Sequence, residues 1–473
     1  MAPLDLMALQ RATRDDILNG PIVRTMIRIG GPAVLSSLLF TLYNLADAFW
    51  IGRLPTGSAA VMAGIQVSWP FVWAVISFVA GFGGAAVTAL VAQNIGAGKP
   101  REANLAINQL FTIGVVASVV LGVAAYANIS TILSWIGTDP DVLAQAEIYL
   151  KVIFLGLPTM ILPGLMTYAF SATGDTVTPL FVNGTGVLLN VLLDPFLVLG
   201  LGGAPQLGIF GAAVATLISQ GVTTLVFFTL FVRGHGGLKL DAPSLRLRWR
   251  WVRRAGRIGL PAGAGQASVA LGYVLVMGII GRLDNSAVAL AGYGIADRIF
   301  GTLFIVTDGL GIGLTTMIGQ ALGAGLPERA RKTLRAGLKT LITIVCAEAF
   351  LLWIARRPLV ALFIPGQTEV IREGARLIEL FAIGMPFLSA FFAADAVYRG
   401  AGHTTPMMIV ALLRLWVIRI PLSYLLAFPV GWQADGVWLG MSLSNVIGGL
   451  VASLLLIGKR WQRSVVSSDT GEA

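Results

Sequence analysis

Twelve apolar stretches dominate this chain, at roughly 27–52, 59–95, 101–127, 143–172, 177–201, 208–232, 253–281, 286–322, 333–355, 370–402, 406–428 and 436–458. A helix needs about 20 apolar residues to cross a bilayer, and hydrocarbon offers no water to an open backbone. Each stretch must therefore be a helix or part of a closed barrel. Leu, Ala and Gly dominate and no period-two alternation persists, which excludes the barrel. Several stretches exceed the required length, so tilt, kinks or protruding ends are expected. A mean hydropathy of +0.82 with 12% charged residues agrees with a membrane protein rather than with two or three soluble domains.

The twelve stretches are one set of six written twice. Pro32, Ile51-Gly52-Arg53-Leu54 and Gly96-Ala97-Gly98 recur as Pro261, Ile280-Gly281-Arg282-Leu283 and Gly323-Ala324-Gly325, at offsets of 229, 229 and 227. Gly174, Pro179 and Gly208 recur as Gly402, Pro406 and Gly436. Because each copy holds an even number of spans, both share one orientation. The expectation is an all-α membrane protein of twelve transmembrane helices in two parallel six-helix repeats around a central cavity. The boundaries read as a lead-in over 1–26, an N-lobe over 27–232, a basic linker over 233–252, a C-lobe over 253–458 and a tail over 459–473.

The net charge of +10 could suggest a nucleic-acid partner, but its placement argues for topology instead. With a cytoplasmic N-terminus, 23 of the 33 lysines and arginines lie on the cytoplasmic side and seven on the other. Three, Arg298, Arg414 and Arg419, fall inside spans. This is the positive-inside rule, and it puts both termini in the cytoplasm. No nucleic-acid partner is expected, and no cleavable signal peptide, since the first apolar run continues into a full span. The single Cys346 excludes an intramolecular disulfide and is expected to pack as a small apolar residue. His235 and His403 lie in loops, so no intramembrane metal or haem site has histidine ligands. Gly96-Ala97-Gly98-Lys99-Pro100 lacks the Ser or Thr of a phosphate loop, and Gly309, Gly311 and Gly313 read as a close helix contact.

Intramembrane charge is the sharpest functional signal, because a carboxylate in hydrocarbon is costly and usually faces a partner or a watery cavity. Asp47 and Asp194 lie five and seven residues before the outer ends of the first and fifth spans, at similar depth in one lobe. Tyr43, Asn44 and Asn190 lie about a turn from them. Two desolvated carboxylates close together oppose each other's ionisation, which suits proton exchange near neutral pH. The same oxygens could hold a hard cation such as sodium, or each Asp could cap a broken helix near the interface. In the second copy Asp47 is replaced by Val276, and Arg419 stands next to Ile420, the rough counterpart of Asp194. Pro32 and Pro195 interrupt their helices and suit either a hinge or simple packing. A second set of charges, Asp297, Arg298, Asp308, Asp395, Arg414 and Arg419, is expected to be buried and mutually paired, with contact to substrate as the alternative.

Together the segment from Pro32 through Asp47 to Arg53, Asn190-Val191-Leu192-Leu193-Asp194-Pro195, the paired Gly-Ala-Gly loops, Arg399-Gly400-Ala401-Gly402 and Arg414-Leu415-Trp416 leading to Pro421 resemble the multidrug and toxic compound extrusion family. The resemblance covers about 27–460. It is similar to the DinF-like branch, whose essential acids lie in the N-terminal lobe. The acid that marks the NorM-like branch, eight positions after the seventh-span proline, is here Val269. The resemblance implies an ion site of Asp47, Asn190, Asp194 and Thr216, with Tyr43 nearby and Pro32 as the hinge. It implies a monomeric antiporter of the prokaryotic inner membrane that exports drug-like, cationic or amphiphilic compounds against protons or sodium, with no cofactor. A flippase for lipid-linked saccharides, of the same wider superfamily, is the alternative that Arg298, Arg414 and Arg419 keep open. An intramembrane enzyme is not expected, for want of a nucleophile–base or metal constellation.

Overall fold

A computed structural model describes residues 11–54, 58–134, 140–203 and 205–466; the first ten residues of the lead-in and 467–473 of the tail lie outside the described residues. The elements are α1 (Arg14–Asn19), α2 (Ile22–Ile51), α3 (Ser58–Gly96), α4 (Pro100–Ala127), α5 (Ile129–Ser134), α6 (Pro140–Leu155), α7 (Leu157–Thr173), α8 (Val177–Leu199) and α9 (Gly208–Val232). The second half continues with α10 (Trp249–Ile280), α11 (Ser286–Gly323), α12 (Pro327–Phe363), α13 (Thr368–Ala401), α14 (Thr405–Leu412), α15 (Ile420–Ala427) and α16 (Gln433–Ile457). No strand occurs among the described residues.

Ten spans are long and apolar enough to cross unaided, and two bent pairs complete twelve. Prolines cause the bends. Helices α6 and α7 meet at 53° where Gly156 and Pro158 break the ladder. Within α13, Thr368–Ala382 and Met385–Ala401 meet at 58°, because Pro386 cannot donate to the carbonyl of Ala382. Pro158 and Pro386 are repeat mates, so each lobe is bent at the same place. The eleventh span departs from its mate. Its mate α8 is regular, whereas α14 and α15 are joined by a π-helical turn, Leu413–Arg419.

The lobes meet through reciprocal contacts, α2 against α11 and α3 against α10. At the end nearest the termini the contact becomes a two-fold latch. Gln93 Nε2 donates across the interface to the carbonyls of Gly400 (2.9 Å) and Ala401 (3.1 Å). Its repeat mate Gln320 donates back to Ala172 (2.9 Å). Close backbone approach makes this possible: a Cβ on Gly96 would lie 2.0 Å from the Gln320 carbonyl oxygen, and one on Gly323 1.9 Å from that of Gln93. Thr176 Oγ1 to the Ile29 carbonyl (2.6 Å) and Thr404 Oγ1 to that of Ile258 (2.5 Å) form a second matched pair. These equivalent bonds, made by equivalent residues, give the parallel repeat its physical content. Gly309 and Gly313 do face α2, packing on Val34 and on the Met26 carbonyl, while Gly311 has open space around it.

Three segments tie this end together. Helix α1 is closed by a capping box between Thr13 and Asp16. It bridges the lobes, with Arg14 Nη2 on the Gly96 carbonyl (2.6 Å) and Arg329 Nη2 on those of Ile17 (3.0 Å) and Gly20 (2.5 Å). The chain after α16 returns to give Gln93 Oε1 two donors, Ser464 Oγ and Val465 N, both at 2.9 Å. The basic linker is also fastened. Asn108 accepts from the Asp241 N–H (2.8 Å), Gln109 accepts from that of Arg248 (2.8 Å) and donates to the Ser244 carbonyl (2.6 Å), and Thr112 donates to that of Leu245 (3.0 Å). Cys346 corrects its expectation: it is exposed on the outer face of α12, because the apolar neighbours that suggested a core position belong to a helix side turned outward.

Gly323→Leu is expected to lower the melting temperature in detergent and to cost about 1–3 kcal/mol by overpacking the latch. Gly311→Ala, whose added Cβ would meet nothing within 4 Å, should leave it nearly unchanged. The Thr13 backbone N–H, then its hydroxyl, and Arg28 hold the Asp16 carboxyl below its ordinary 3.8. A depressed folded pKa stabilises at and above the unfolded value and ceases to do so as pH falls through the folded one. The protection of the α1 amides, taken relative to their intrinsic exchange rate at each pH, should therefore stay flat from neutral pH down to about pH 4 and fall below it.

Candidate functional site

In the N-lobe the seam between α8 and α9 is drawn tight by two glycines. A Cβ on Gly186 would lie 2.2 Å from Thr223 Oγ1, and one on Gly211 2.1 Å from the Leu197 carbonyl oxygen. Asn190, Asp194 and Thr216 sit between these two contacts and are buried in the seam. Helix α2 closes the third side. Asp47 lies four residues before Ile51, and Asp194 five before Leu199, so both are about 6–8 Å from their helix ends at 1.5 Å per residue.

The predicted residues converge. The hydroxyls of Tyr43 and Thr216 are hydrogen-bonded at 2.7 Å, and both side chains are buried. The half-buried Asp47 faces the Asp194 carboxylate and the Tyr43 hydroxyl. Five buried atoms of the cluster lack a hydrogen-bond partner: Asp47 Oδ1, both Asp194 oxygens, and Asn190 Oδ1 and Nδ2. Unmet buried carboxylate oxygens are unstable unless something positive joins them. A proton between the acids fits, and so does a small hard cation held by Asp47, Asn190 and Asp194 beside Thr216, whose hydroxyl is already engaged with Tyr43. Among the described residues no group of three or more His, Cys, Asp or Glu could hold a metal ion.

Two neighbours differ from expectation. Asn44 is outside the cluster, because its amide donates to the Phe40 carbonyl of its own helix (2.9 Å). Tyr149 of α6, unmarked in the sequence analysis, is buried and acts on both Asp47 and Tyr43. Pro32 is buried in an α2 that runs unbroken past it.

The second set of charges is only partly buried and not mutually paired. Arg298, Asp297 and Asp308 are exposed, and Asp308 lies toward Asp395 and Arg399 of α13 and Tyr168 of the other lobe. Asp395 pairs with Arg399 (2.9 Å), which also acts on Asp308 and on Tyr168 of the other lobe. Arg399 was visible only as part of a glycine motif. Arg414 and Arg419 are buried, but their partners are Asn445 and Ser444 rather than an acid.

Twelve helical spans in two parallel lobes, with a desolvated carboxylate pair in one of them, define an integral membrane transporter. The chain belongs to the MatE family, whose model matches residues 32–196 and again 261–425. It is 26% identical over 452 residues to the probable multidrug resistance protein NorM of Thermotoga maritima, covering 94% of each chain. It is 27% identical over 447 residues to the FAD transporter of Shewanella oneidensis, covering 93% of this chain and 96% of that one. The fold matches that of a multidrug resistance MATE family transporter of the MOP superfamily solved in an outward-facing conformation, with a TM-score of 0.85 at 20% identity over 97% of this chain and 99% of that one.

Thr216→Val should leave the buried Tyr43 hydroxyl without its partner. An expected loss of about 1–3 kcal/mol would be read by thermal unfolding in detergent, and a smaller effect is expected from Tyr43→Phe, which removes the hydroxyl altogether.

Proposed function

We propose that this protein is a secondary active antiporter. It exports organic cationic or amphiphilic compounds in exchange for protons or sodium ions, as a monomer in the prokaryotic inner membrane with both termini cytoplasmic. The observation that carries this reading is the Asp47–Asp194 pair: desolvated, with three orphaned oxygens, and faced by no lysine or arginine among the described residues. A structural ion pair would have brought its own cation. This one leaves a place for a charge that comes and goes.

An ion entering from outside neutralises the pair and removes the cost of carrying two carboxylates into a less hydrated state. Pro32, which leaves the Arg28 carbonyl without its helical donor, is where α2 bends in response. That bend narrows the N-lobe and displaces the substrate. The lobes 27–232 and 253–458 rock about the latch of Gln93 and Gln320, which is closed in this conformation. Val269, in the place of an acid, supports an ion site confined to the N-lobe, as in the DinF-like branch. The acidic N-lobe argues against a flippase that grips a pyrophosphate there.

In proteoliposomes, efflux of a fluorescent cation is expected under an imposed pH or sodium gradient, and which gradient drives it names the ion. Asp47→Asn should abolish that efflux while the protein still elutes as a folded species. Undiminished gradient-driven efflux by the Asn variant would refute the proposal.

A further inference from the structure

The C-lobe holds a second polar cluster of opposite sign, and the π-helical turn creates it. Five residues apart on a regular α-helix, Arg414 and Arg419 would point about 140° apart. The π turn from Leu413 to Arg419 bonds each residue to the one five along, which swings both guanidinium groups to one side. Both are buried, at 4% and 1% exposure. Arg414 Nη1 (2.7 Å) and Arg419 Nη2 (2.6 Å) share a single acceptor, Asn445 Oδ1, and Arg419 Nε donates to Ser444 Oγ (2.9 Å). The Arg414 guanidinium also lies over the Phe391 ring, 4.7 Å from its centre. Gly448 makes room for it, since a Cβ there would be 2.5 Å from Arg414 Cδ.

No carboxylate accepts from either arginine among the described residues. Asp297 acts on Tyr293, which lies beside Arg419, but is itself balanced by the adjacent Arg298. Arg414 Nε and Asn445 Nδ2 are buried donors with no partner. Tyr273, half-buried, lies beside Arg414, and Tyr293 beside Arg419. Two like charges sharing one neutral oxygen, with donors to spare, is a site short of an anion.

Its position is not arbitrary. Ser444 follows Thr216 by 228 residues, the spacing of Gly208 and Gly436, and Gly272, which packs against Leu415 of the π turn, follows Tyr43 by 229, the spacing of Pro32 and Pro261. The arginine pair therefore occupies in the C-lobe the place that the carboxylate pair occupies in the N-lobe.

We propose that Arg414 and Arg419, with Asn445, bind the acidic group, carboxylate or phosphate, of the transported compound. The assignment gives the acidic group of a transported anion or zwitterion its own place in the C-lobe, opposite the carboxylate pair, and it rests on the antiporter reading for what is carried. Guanidinium forks match both acids with paired hydrogen bonds.

The test compares rhodamine 110, which has a free carboxylate, with rhodamine 123, its methyl ester, by fluorescence anisotropy on purified protein without any gradient. Arg414→Gln and Arg419→Gln are each expected to weaken rhodamine 110 binding about tenfold and to leave rhodamine 123 unchanged. Parallel loss of both dyes, or loss of neither, overturns the proposal. If the variants do not fold, the wild-type protein decides: excess benzoate should displace rhodamine 110 and spare rhodamine 123, and equal displacement or none overturns it. Displacement of rhodamine 110 by phosphatidylglycerol micelles but not by benzoate assigns the site to a lipid headgroup and overturns the substrate assignment. Gradient-driven efflux of rhodamine 123 without dye selectivity in binding removes this site alone. Selectivity in binding without efflux of either dye removes the antiporter reading alone.

Discussion

Lipid tails are as apolar as leucine, so nothing hydrophobic drives one span against another inside a bilayer. The two lobes must find their cohesion elsewhere, and here they find it in close backbone approach. Gly96 and Gly323 bring α3 and α11 near enough for Gln93 and Gln320 to reach carbonyls in the opposite lobe. The remaining architecture depends on that contact. It sets the two-fold relation, seals the end nearest the termini, and offers Gln93 Oε1 as the anchor for the returning C-terminal chain. Polar amides suit the task because they bind specifically without stranding a charge at the contact between the lobes.

The same seam is built twice, between α8 and α9 and between α14–α15 and α16, and filled with opposite chemistry. In the N-lobe a regular helix presents Asp194 to Asp47 and Tyr43. In the C-lobe a π turn presents Arg414 and Arg419 to Asn445 and Ser444. Duplication supplies two equivalent cradles, and one widened turn in the second copy alters which side chains reach the middle. A charge in hydrocarbon is too costly to persist without a use or a partner. Neither cradle neutralises itself, and the proposed ion and substrate sites both rest on that imbalance.

What could be read from the residues follows from how local each property is. Hydropathy belongs to the segment that carries it, so the spans, the repeat and the prolines were all visible. Asp47 and Asp194 could be matched because their depths follow from helix rise alone. Tyr149 could not, since it reaches Asp47 from a different helix and nothing in its own neighbourhood marks it. Gln93 carries no mark in its own stretch, because a cross-lobe partner more than 300 residues away leaves no trace beside it. The π turn was equally silent: it changes register without changing composition. Arg298 and Cys346 were misplaced because an apolar helix does not declare which of its sides is turned outward, and Asp308 because its neighbours on α13 and in the other lobe leave no mark on its own helix.

The linker between the lobes has a mechanical consequence. Polar side chains of α4, Asn108, Gln109 and Thr112, hold it from Lys239 to Arg248. It is thus a shelf of the first lobe rather than a tether between the two. Nor does the attachment stop at Arg248, since Trp251, Ala255 and Ile258 in the opening turns of α10 pack into the same apolar cluster as Phe170 and Phe231 of the first lobe. The connection between the lobes is accordingly one-sided, with the linker and the threshold of the second lobe both fastened to the first.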